Sequence, residues 1–148
     1  MAALLTEIGA GDPALEPYAK LLAGWDGNLD RNGNAGVLWA LWRTRLVDAF
    51  FGPRMPKHLI AEATGRAGVT VMVNALREPT ATWFGDEPVK ARDALVRSTF
   101  AEAVAQAKKR LGPDPTVWKL GNLQKVLFRH PLAGPGPTFA RAFNMGPF

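Results

Sequence analysis

The chain contains no cysteine and a single serine, Ser98, among its 148 residues. The first absence removes disulfide frameworks, thiolate zinc sites and cysteine nucleophiles together. The second leaves one serine hydroxyl, and no G-x-S-x-G elbow surrounds it to present it on a sharp turn. Histidine is almost as scarce: His58 and His130 are the two imidazoles, and they form no pair at helical spacing. His130 precedes Pro131 and reads as a loop residue bonded to a backbone carbonyl. No phosphate-cradling loop is present, since Gly-x-Gly occurs at Gly9 and Gly134 without a following G-K-[ST]. No run of about 18 apolar residues exists, so no membrane span is expected. The opening MAALLTEIGAGD has Glu7 and no basic stretch, so no secretory signal is expected there.

What remains is an ordinary globular composition, 47% hydrophobic and 21% charged, long enough for one core. Charge is uneven. Residues 1–30 hold one cation, Lys20, against five carboxylates, a net of −4, whereas residues 121–148 hold Lys125, Arg129 and Arg141 with no acid. The whole chain carries +5 with a pI near 10.0. Its densest basic run is only Lys108-Lys109-Arg110, a thin basis for phosphate recognition, so nucleic acid is not the expected partner.

Helical punctuation dominates. Asp12-Pro13 reads as a cap with proline at the first helical position, and Leu15, Tyr18, Leu22 and Trp25 recur at three and four, predicting a helix over 13–24. Residues 26–34 concentrate Asp, Asn and Gly and predict a structured loop. Val37, Leu38, Leu41, Trp42, Leu46 and Phe50 mark a helix that stops at Gly52-Pro53. Pro56 opens a short helix through His58 and Ile60, and Val69, Met72, Val73 and Leu76 outline another ending near Pro79. Pro88 starts the longest element, with Val89, Val96, Phe100, Val104, Ala107 and Leu111 on one stripe until Gly112-Pro113. Asp86-Glu87 reads as its N-terminal cap. Asp114-Pro115 starts one or two turns containing Trp118, with Gly121 as their end.

The expected fold is therefore mainly α, an irregular bundle of about five to six helices over residues 1–130. Residues 131–148 are expected to form an extended Pro/Gly-rich strap, because Pro131, Pro135, Pro137 and Pro147 cannot donate to a ladder or a helix. Trp25, Trp39 and Trp42 are expected in the core.

Few residues present a candidate site. Asn28, Asp30, Asn32 and Gly33 match the first positions of a calcium loop, but Trp39 stands where the bidentate glutamate belongs, so a helix-linking turn is favoured over a calcium site. No catalytic, cofactor-binding or metal-binding residue is assigned.

Two clusters taken together carry a resemblance. Leu21-Leu22-Ala23-Gly24-Trp25-Asp26-Gly27 is followed, roughly ninety residues on, by Trp118-Lys119-Leu120-Gly121-Asn122-Leu123-Gln124 and then Phe128-Arg129-His130-Pro131-Leu132. This arrangement resembles the penicillin amidase family, whose members have an L-x-x-W-D-G segment followed by W-x-W-G-x-L-H and F-x-H-P-L. Leu120 stands where the second Trp is common and Gln124 where His is common. The resemblance implies an N-terminal-nucleophile hydrolase of αββα architecture that cleaves linear amides and works in the periplasm or outside the cell. The family's nucleophile follows a Gly, yet no Gly-Ser, Gly-Thr or Gly-Cys pair occurs here. The expectation is an internal piece of a β chain, serving as scaffold and cleft wall beside the remainder of a parent acylase. The alternative is a stand-alone basic helical module that binds a partner such as nucleic acid.

Overall fold

The computed structural model describes residues 12–56, 58–60 and 66–123. Among these the structure is helical, with no strand. Helix α1 spans Glu16–Ala23, α2 Ala35–Phe51, α3 Arg66–Arg77, α4 Ala81–Phe84, α5 Pro88–Leu111 and α6 Leu120–Leu123, and a 3-10 turn covers Pro115–Val117. Residues 58–60 are also helical, as the proline at 56 suggested. The proposed strap, the boundary at residue 130 and the Phe128–Leu132 motif lie outside the described residues, as do Gln124 and His130.

The two long helices organise the rest. Helix α5 lies along α2 and contributes Val96, Phe100, Ala103, Val104 and Ala107 to the core. Its apolar partners on α2 are Val37, Leu38, Leu41, Trp42, Leu46 and Phe50, all buried at the spacing of one helix face. The length mismatch has a consequence: α5 has 24 residues and α2 has 17, about 36 Å against about 26 Å at 1.5 Å per residue. Val89, expected on the buried stripe, is instead 54% exposed in the first turn of α5.

The buried Trp42–Thr99 pair is satisfied, whereas Arg45 Nε is buried without a hydrogen-bond partner among the described residues. The Trp42 indole donates to Thr99 Oγ1 at 3.1 Å, and that hydroxyl lies 2.8 Å from the Leu95 carbonyl, which takes its proton. Phe100 meets the edge of Trp42 with ring centroids 5.7 Å apart. Trp25 and Trp39 are only half-buried; they continue the same aromatic row outward from Trp42, at 5.9 Å per step, and so sit at the margin rather than in the centre.

Three local expectations change. Helix α1 starts at Glu16 because Asp12 spends its side chain on a preceding turn, accepting from the Ala14 amide at 2.9 Å. Glu87 occupies the N-cap position of α5 but its carboxylate turns to Lys90 at 2.9 Å, leaving the helix end without a side-chain cap. Gly121 does not end the last turn. It lies inside α6, while Trp118 follows the 3-10 turn in extended conformation.

Helix α4 answers to no sequence period. Its Trp83 and Phe84 pack on Phe50, with centroids 5.2 and 6.1 Å away. The Arg54 guanidinium closes this corner by donating to the carbonyls of Phe50 and Trp83 while lying over both rings.

Candidate functional site

The fold brings the loop that follows the first motif cluster against the second cluster. In the first, each residue of the Trp-Asp-Gly triplet shapes the loop. Trp25 Nε1 donates to the Asn28 carbonyl at 2.8 Å, Asp26 accepts from the Asn28 amide at 2.8 Å, and Gly27 adopts φ +86°. That dihedral lies in the left-handed region where a side chain is strained. Asp30 repeats the device, accepting from the Asn32 amide at 2.6 Å, and Asn34 then caps α2 through the Ala35 amide at 2.8 Å.

The second cluster docks on this loop. The Gly121 amide donates to the Arg31 carbonyl at 2.9 Å and the Leu120 amide to the Gly33 carbonyl at 3.3 Å. Asn34 Nδ2 reaches the Pro115 carbonyl at 3.2 Å. Trp118 is 1% exposed, stacks on Tyr18 of α1 with centroids 5.8 Å apart, and donates from Nε1 to the Gly112 carbonyl at 2.9 Å. Lys108 lies over the other partner of that stack, 4.9 Å from the Tyr18 ring centre. Leu120 is buried, and a Cβ at Gly36 would stand in ordinary contact with its Cδ2 at 3.4 Å, so α6 packs directly on α2.

Asp114 fastens the start of this segment. Its carboxylate accepts from the Thr116 hydroxyl at 2.7 Å and the Thr116 amide at 2.8 Å, and those two bonds, the hydroxyl's first, hold its pKa below the ordinary aspartate value.

Groups capable of chemistry are placed apart. Ser98 is exposed on α5 beside a groove of about 760 Å³ that also touches Asp12, Lys90 and Asp93. Its hydroxyl donates to the Leu95 carbonyl at 3.2 Å, and no imidazole among the described residues lines the groove. Asp93 is engaged by Arg92 at 2.7 Å. His58 is exposed in the short helical stretch over 58–60. The loop residues Asn28, Asp30 and Asn32 are exposed, and Asp30 and the Asn28 carbonyl already serve the loop's own hydrogen bonds. Among the described residues no three His, Cys, Asp or Glu side chains gather as metal ligands. No helix among them is long and apolar enough to cross a membrane.

The site that sequence reasoning missed is a hollow of about 340 Å³ lined by Arg31, Asn32, Lys119, Gly121 and Asn122. Its residues come from the loop that follows the first motif cluster and from the second cluster, and only the docking of the two makes them neighbours.

The class defined is thus a helical unit in which the loop after Trp25 and the segment around Trp118 lock together. The penicillin amidase family model matches residues 1–148, the whole chain, and the chain belongs to that family. No curated protein and no solved structure matches it.

Proposed function

We propose that this chain serves a penicillin amidase-type hydrolase as helical scaffold and as part of the wall of its substrate cleft. The reaction supported is hydrolysis of a linear amide, in which a terminal hydroxyl attacks the carbonyl, aligned donors hold the oxyanion, and water releases the acyl group. The observation that carries the reading is the use to which the family-like residues are put. Trp25 and Asp26 bond the Asn28 backbone, Gly27 supplies the left-handed turn between them, and Trp118 bonds the Gly112 carbonyl, so these residues build local backbone structure. The Ser98 hydroxyl donates to the Leu95 carbonyl, and no imidazole among the described residues lines its groove. The rest of the acylase is the partner, and a small-molecule amide is the substrate of the assembled enzyme.

The test is an assay of the purified chain against phenylacetyl, long-chain acyl and homoserine lactone amides. No turnover is expected. Turnover that disappears in Ser98→Ala would overturn the scaffold role and make Ser98 a nucleophile; turnover surviving that change through repurification would place an unassigned nucleophile in this chain and overturn it equally.

A further inference from the structure

We infer that the hollow between the loop at residues 25–34 and α6 is an oxyanion-binding site, taking a ligand that presents a carboxylate or a phosphate group. Four side chains that can donate line it: the Arg31 guanidinium, the Lys119 ammonium and the amides of Asn32 and Asn122. None of these four side chains is bonded to another described residue, so among the described residues the two cations stand together without a counter-charge. The nearest carboxylate in sequence, Asp30, has one oxygen committed to the Asn32 amide.

The placement is held by backbone. The Gly121 amide bonds the Arg31 carbonyl at 2.9 Å, the Leu120 amide bonds the Gly33 carbonyl at 3.3 Å, and the Asn122 amide returns to the Lys119 carbonyl at 3.0 Å. Both cations therefore start from a fixed frame, although their tips are exposed. Glycine at 121 is what allows Arg31 to lie against α6: a Cβ there would come 2.6 Å from Arg31 Cγ and 3.2 Å from Nε. A planar guanidinium fork beside a compact ammonium suits an oxygen-rich anion, the fork giving direction and the ammonium charge. The ordinary alternative, two solvated surface cations, explains their exposure but not the glycine that makes room for the Arg31 stem or the absence of a paired acid among the described residues.

The test is ligand titration of the whole chain followed by amide NMR, with inorganic phosphate and succinate as separate probes and chloride at equal ionic strength as reference. Saturable shifts at the amides of Asn32, Gly121 and Asn122 are expected with phosphate or succinate and not with chloride. Comparison of the two probes assigns the preferred oxyanion. Lys119→Gln should weaken the binding about tenfold, the loss of one charge-assisted contact. Arg31→Gln should do the same, while Arg77→Gln, which lowers the net charge equally from the exposed end of α3, should leave it unchanged. Shifts that follow ionic strength alike for all three salts would overturn the site. So would saturable binding that survives both Lys119→Gln and Arg31→Gln.

Discussion

At the scale of single residues, Thr99 shows how a polar pair is accommodated inside the core. It is the buried polar side chain among the described residues, 3% exposed, and it receives the Trp42 indole proton inside the α2–α5 contact. Thr99→Val keeps the shape and removes the acceptor, leaving a buried N–H unpaired at a cost of about 1–3 kcal/mol. Ser98→Ala, one position away on the exposed face, should change stability by less than about 0.5 kcal/mol. Urea unfolding of the two variants measures the difference. Asp114 offers a second residue-scale test. Its folded pKa is depressed, so the stabilisation it gives the 3-10 turn is present above the ordinary aspartate range and is lost as pH falls through the lowered value. Thermal melts of wild type and Asp114→Ala should therefore differ at pH 6 and converge in strong acid; a gap that stays constant down to pH 2 would contradict the assignment.

At the scale of elements the loop between α1 and α2 depends on one left-handed glycine. Gly27 at φ +86° has no atom within 4 Å of where a Cβ would stand, so Gly27→Ala costs backbone strain alone, about 1–2 kcal/mol. Gly24 sits at φ −83° with a Cβ at ordinary contact distance from the Lys20 carbonyl, and Gly24→Ala should be neutral or stabilise by up to about 1 kcal/mol. Calorimetric melting should show a lowered Tm for Gly27→Ala and an unchanged or raised one for Gly24→Ala. How far these elements can be read from sequence follows from the same physics. Apolar spacing in α2 and α5 reports a buried face directly, which is why Val37 to Phe50 and Val96 to Ala107 fall where the periodicity puts them. Helix α4 has four residues, too few for a period, and exists because Trp83 and Phe84 find Phe50. Gly121 reads locally as a terminator, whereas its reason is a neighbour ninety residues away in sequence, the stem of Arg31. The hollow was illegible for that reason: Arg31 and Lys119 become one site only through the docking of α6.

At the scale of the whole molecule the net charge of +5 is divided among separate tasks, with Lys20, Arg45 and Lys90 paired to Glu16, Glu102 and Glu87 and Lys108 seated on Tyr18. On a polyanion column the chain should elute at the salt concentration of a control protein of equal charge; retention well beyond it would favour the nucleic-acid-binding module instead. The central claim is that the Trp118 segment is integral to the core, where Trp118 is buried, stacked on Tyr18 and bonded to Gly112. Denaturant unfolding of Trp118→Ala measures it. A loss of about 3–5 kcal/mol is expected, as for other buried aromatics, and a loss below about 1 kcal/mol with unchanged cooperativity would contradict the claim.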